Sequence, residues 1–129
     1  MNDKLKILIV DDDEDILENL SDILTDIGHQ ADTACSGALA IEKLAADSGE
    51  SEHSTYDLCL LDFKMPGMDG VELVKRIRQQ HPDIRAIMIT AYAGDDGAKR
   101  ALAAGTWHVL RKPVDVPTLL GMIKQVVAR

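Results

Sequence analysis

Apolar residues fall along this chain in two alternating textures. Short, nearly unbroken runs rich in Ile, Val and Leu stand at Leu5–Val10, Leu58–Leu61, Ile84–Ile89 and Val109–Leu110, and a weaker run at Gln30–Ala34 makes a fifth. Runs of this length and composition predict strands. Between them, apolar residues recur at three- and four-residue steps, the period of an amphipathic helix. The clearest case is Ile16, Leu17, Leu20, Ile23, Leu24 and Ile27, introduced by acidic residues and ended by Gly28. A second helix is expected from Ser36, a suitable N-cap, to Ala46, with the polar stretch Asp47–Thr55 as an exposed loop. A third begins at Asp69 with Glu72 three residues on, carries Leu73 and Ile77 on one face, and stops before Pro82. A fourth runs from Asp96 to Ala104 and stops at Gly105. The last runs from Asp115 to Val127, with Leu119, Leu120, Ile123 and Val127 as its inner stripe.

Strands that are apolar throughout and separated by helices imply a parallel sheet covered on both faces, because parallel neighbours need crossover connections. The fold class is therefore α/β, a doubly wound five-stranded parallel sheet with flanking helices. With 129 residues, 46% hydrophobic and 28% charged, the chain fits one domain, residues 1–129, around one core. A formal charge of −8 argues against direct binding of nucleic acid, which is driven by Lys and Arg neutralising phosphates. Met1–Lys6 is polar and no apolar stretch approaches a membrane span, so a cytoplasmic location without membrane contact is expected. Cys35 and Cys59 lie in apolar stretches without a CxxC pair, which favours reduced core residues, and the four histidines lack ligand spacing and are expected at the surface or its boundary.

Chemistry concentrates at one place. In doubly wound sheets, ligands sit beyond the carboxyl ends of the strands, and the residues that follow the apolar runs are Asp11-Asp12-Asp13, Asp62, Thr90 and Lys112. Carboxylates gathered at one sheet edge repel unless a cation compensates them, and all-oxygen ligation is what Mg²⁺ prefers. The acidic run also suits a helix N-terminus, by itself an ordinary capping arrangement. Asp62 is harder to explain in that way, since it ends a wholly apolar run and leads into Met65-Pro66-Gly67-Met68-Asp69-Gly70, a loop with a tight backbone path. Lys112 followed by Pro113 is either an ordinary surface lysine or a cation at the end of the last strand that reaches an anion there. Thr90 is either a strand terminus or a hydroxyl donor to a phosphoryl oxygen.

Together these residues resemble the receiver domain of two-component response regulators, from Lys6 to Val127. The motifs that carry the resemblance are Ile7-Leu8-Ile9-Val10-Asp11-Asp12, Leu61 to Gly70, Ile89-Thr90-Ala91-Tyr92 and Lys112-Pro113. The resemblance implies a flavodoxin-like sheet of strand order 2-1-3-4-5. It implies Asp62 as phosphoacceptor, Asp12 as a direct Mg²⁺ ligand, Asp11 acting through water, the Lys64 carbonyl as a further ligand, Thr90 as the switch hydroxyl and Lys112 as the phosphate-binding lysine. The implied partners are a sensor histidine kinase or histidine phosphotransfer protein, with a fused effector domain or a homodimer through the face of the fourth helix, fifth strand and last helix. Such a chain catalyses its own phosphorylation and dephosphorylation and has no separate substrate. The sequence departs from the family where Val109 stands at the position, three before Lys112, that often holds an aromatic. Lys64 and Tyr92 are expected to flank the approach of water to the phosphorylated aspartate. Two rival readings are an aspartate-nucleophile phosphatase acting through Asp11, which leaves Asp62 and its loop without a role, and a degenerate receiver that only binds.

Overall fold

The computed structural model describes residues 4–48, 56–91 and 95–128. The elements follow in the order β1 (Lys6–Val10), α1 (Glu14–Asp26), β2 (Gln30–Ala34), α2 (Gly37–Ser48), β3 (Leu58–Leu61), α3 (Gly70–Gln80), β4 (Arg85–Thr90), α4 (Asp95–Ala103), β5 (His108–Arg111) and α5 (Val116–Ala128). The strands form one parallel sheet in the order β2-β1-β3-β4-β5, as the resemblance implied. No helix among the described residues is long and apolar enough to cross a membrane.

Successive strand side chains point to opposite faces, and the core divides accordingly. On one face Ile7, Ile9, Leu58, Leu60, Ile87 and Ile89 meet Leu17, Leu20 and Leu24 of α1 and Leu119, Ile123 and Val126 of α5. On the other, Leu8, Val10, Cys59, Leu61, Ala86 and Met88 meet Ala40 and Leu44 of α2, Leu73, Val74 and Ile77 of α3 and Ala101 of α4. Both faces are thus dry, which is why β1, β3 and β4 read as continuous apolar runs.

The helix signals hold at their caps. The Asp13 carboxylate accepts from the amides of Asp15 and Ile16, Ser36 Oγ from Leu39 N, and Asp115 from Thr118 N. Asp69 caps α3, as its spacing to Glu72 suggested, accepting from Glu72 N at 2.9 Å. Gly28, at φ 99°, turns the chain out of α1.

Four expectations are corrected. The inner stripe of α5 is Leu119, Ile123 and Val126, while Leu120 and Val127, each about 100° around the helix from its buried neighbour, are only partly buried. Ile27 lies at the frayed end of α1 and is exposed. Cys35 is exposed as well, since it follows the last residue of the edge strand β2 and leaves the sheet; only Cys59 is a core cysteine. Asp47 and Ser48 belong to α2 rather than to a loop. The rest of the expected loop, residues 49–55, and Tyr92 lie outside the described residues.

Candidate functional site

Register brings the site together. Val10 pairs with Leu61 across β1 and β3, and the next residues, Asp11 and Asp62, continue the alignment, with Asp62 N donating to Val10 O at 3.0 Å. Across β4 and β5, Lys112 N donates to Thr90 O at 2.9 Å. Asp11, Asp62, Thr90 and Lys112 therefore stand side by side at the carboxyl edge of the sheet. Asp11, Asp62 and Thr90 are three of the four buried polar or charged residues among the described residues, Thr106 being the fourth.

The acidic run after β1 divides its work. Asp13 caps α1, so the capping reading is correct for that residue. Asp11 instead turns inward, buried, with Oδ1 accepting from Asp13 N at 2.9 Å, and Asp12 remains exposed. Carboxylate oxygens of Asp11, Asp12 and Asp62 come within 4.8 Å of one another.

Lys112 lies between two of them. Its Nζ is 2.9 Å from Asp11 Oδ2 and 3.2 Å from Asp62 Oδ2. Burial pushes the Asp11 carboxyl above its ordinary range and the charge of Asp62 adds to this, against the hydrogen bonds from Lys112 and the Asp13 amide. Burial alone would lower the Lys112 ammonium, but its hydrogen bonds and charge pairing with Asp11 and Asp62 outweigh that and hold it above its usual value. The lysine is firmly charged. The cation demanded by crowded carboxylates is thus partly supplied by the chain itself, in addition to the role on an anion that the sequence suggested. The Lys112–Pro113 peptide is cis.

Lys112 neutralises only one of the three carboxylates. The three carboxylates form a set of hard oxygen donors with net negative charge left over, two of them buried and one open to solvent, which fits a small divalent cation that keeps part of its water shell. Lys64, two residues after Asp62, is exposed.

Asp62 is held by a feature that sequence reasoning noticed only as a tight loop. Gly70 N donates to Phe63 O at 2.8 Å, and a Cβ on Gly70 would lie 2.2 Å from the Asp62 carbonyl oxygen. The start of α3 is pressed against the backbone of the aspartate, a contact that only glycine permits. Val109 is partly buried against the α2–α4 side of the core, while Trp107 packs toward the other side with the Arg85 guanidinium 4.5 Å above its ring. The indole does not take the place of the missing aromatic. Burial pushes the Cys59 thiol up to about 12, which leaves it unreactive.

Residues 7–124 match the sequence profile of the response regulator receiver domain. The chain belongs to the response regulator receiver domain family. A response regulator receiver protein of Anaeromyxobacter is 39% identical over 117 residues, covering 89% of this receiver and 45% of that protein. The response regulator protein PilR of Pseudomonas aeruginosa is 40% identical over 123 residues, covering 95% and 25% respectively. The receiver thus spans less than half the length of these two relatives. Sporulation initiation phosphotransferase F of Bacillus subtilis is similar in extent as well, 34% identical over 120 residues and covering 93% of this chain and 91% of that one. Among solved structures, a two-component response regulator from Clostridium difficile superposes with a TM-score of 0.88 at 29% identity, covering 97% of each chain.

Proposed function

We propose that this receiver is a phosphorylation-dependent signalling switch that accepts a phosphoryl group on Asp62. The observation that carries this reading is the Lys112 ammonium set between the Asp11 and Asp62 carboxylates within a cluster of three acids. An aspartate at the open edge of a sheet, with a fixed cation beside it, is arranged for attack on phosphorus and for holding the product. One carboxylate oxygen of Asp62 forms the bond to phosphorus as the nitrogen–phosphorus bond of a phosphohistidine breaks, and the leaving imidazole takes up a proton.

Asp11, Asp12, Asp62 and the Lys64 carbonyl would hold Mg²⁺, which supplies positive charge to the phosphoryl oxygens. Lys112 exchanges its pairing with Asp62 for the phosphoryl group, and Thr90 donates its hydroxyl to the same group, drawing in the segment that leads to α4. The surface of α4, β5 and α5 is the face that changes. The donor is a sensor histidine kinase or a histidine phosphotransfer protein, and the output is a fused effector domain or a homodimer through that face. Residues 1–129 act as one receiver unit in the cytoplasm, without nucleic acid or membrane as a direct partner, and with no separate substrate.

The test is labelling by a small phosphodonor such as acetyl phosphate with Mg²⁺. Wild type should form an acid-stable, base-labile acyl phosphate, and Asp62→Asn should form none while keeping its fold. Persistent labelling of the variant would move the site to Asp12 or Asp13, and turnover of a phosphomonoester by that variant would favour the phosphatase reading through Asp11.

A further inference from the structure

We infer that Arg100 is a positioning residue that latches α4 to the phosphoacceptor strand and lowers the affinity of Asp62 for a phosphoryl group. The inference deepens the phosphoacceptor reading and rests on it. The residue next to Asp62 is Phe63, buried at 6% exposure among the side chains shared by β3, α3 and α4. The Arg100 guanidinium of α4 stands 5.8 Å from the centre of that ring, within the range of a cation–π contact. One residue on, Ala101 is fully buried in the same cluster. These neighbours join α4 to the residue beside the reacting carboxylate.

The two partners differ in freedom. Phe63 is held at its backbone, where its carbonyl accepts from Gly70 N, and its ring is buried in the core. Arg100 is exposed on a short helix. The conformation with this contact is also the one in which Lys112 is paired with Asp62, an ion pair that requires an unmodified carboxylate. Movement of α4 on phosphorylation, as proposed above, therefore carries Arg100 away from a ring packed in the core. A contact made in one state and lost in the other biases the equilibrium toward the state that has it.

The sign of the effect makes the inference testable. Removing a cation near an anion site should weaken anion binding if only charge matters, whereas releasing a latch should strengthen it. The experiment is a titration of the full chain with beryllofluoride at saturating Mg²⁺, followed by amide shifts. Arg100→Ala should bind about two- to fivefold more tightly than wild type, the factor that an exposed cation–π contact supports. Mg²⁺ affinity should be unchanged, and the melting temperature of the unphosphorylated protein should fall by about 2–5 °C, because the contact removed belongs to that state. Arg100→Lys, which keeps a cation over the ring, should stay within twofold of wild type. Lys99→Ala, which removes a neighbouring exposed charge on α4, should bind equally or more weakly. Equal or weaker binding by Arg100→Ala overturns the latch, as does an equal tightening in Lys99→Ala. Absence of any saturable response in wild type overturns the phosphoacceptor reading itself, and the latch with it.

Discussion

Gly70 shows how much of the site depends on a single absent atom. The atom that an alanine Cβ would strike, 2.2 Å away, is the backbone carbonyl of Asp62, which has no rotamer with which to escape. Either α3 or the end of β3 must shift. Gly70→Ala is expected to destabilise the domain by about 1–3 kcal/mol, the usual cost of overpacking, and to weaken Mg²⁺ binding by moving Asp62 relative to Asp11. Chemical denaturation and a metal titration measure the two effects, and an unchanged unfolding midpoint would show that the backbone yields freely. At this scale the sequence was most informative where a polar residue ends an apolar run directly, as at Asp11 and Asp62. It did not reveal that Lys112 pairs with Asp11, because that bond spans 101 positions of chain, a separation at which spacing carries no information. Cys35 misled for the opposite reason. Its neighbours are apolar or small, but burial is decided by where the edge strand ends.

Elements were legible from period and punctuation together. Gly28, Pro82 and Gly105 mark helix ends close to where they occur, and Asp13, Ser36, Asp69 and Asp115 mark starts. Which of several apolar residues faces the core was less legible, as the exchange of Val127 for Val126 in α5 shows, since a helix as apolar as this one offers two overlapping stripes. One junction was not legible at all. Where the chain leaves α1 for β2, the backbone amide of Leu5 donates to His29 Nδ1 at 3.0 Å, which requires the imidazole to be neutral there. Burial lowers the pKa of His29 from its ordinary 6.5, against the opposing pull of Asp57. For a base whose folded pKa is depressed, the unfolded chain binds more protons, so stability is complete above the unfolded value and is lost as pH falls through the window below it. Unfolding midpoints should therefore drop between pH 7.5 and pH 5.5, and His29→Asn, which keeps an acceptor but cannot titrate, should drop less. Parallel slopes for the two proteins would show that another group sets the pH dependence.

For the molecule as a whole, the two apolar faces of the sheet follow from runs that are best read as parallel and doubly covered, while the strand order came from the family resemblance rather than from the pattern. At the site burial and charge conflict. Asp11 and Asp62 are withdrawn from water beside Asp12, and Lys112 compensates only part of their charge. The metal-free molecule therefore retains a local repulsion that the core must outweigh, and a divalent cation bound at the proposed site would relieve it. A ligand bound only by the folded state at about 100 times its dissociation constant adds about 2.7 kcal/mol, which for a domain of this size raises the melting temperature on the order of 10 °C. Asp62→Asn should separate the two contributions. It removes one repelling carboxylate while Lys112 keeps its 2.9 Å partner Asp11, so without metal the variant should melt at or above wild type. With Mg²⁺ it should gain much less, because a ligand has been lost. Thermal melts of both proteins in chelator and in saturating Mg²⁺ give the four values required. A metal-free variant melting clearly below wild type would mean that the Lys112–Asp62 pair stabilises the fold more than the clustered charges oppose it, and that the site is held together by its own ions rather than waiting for another.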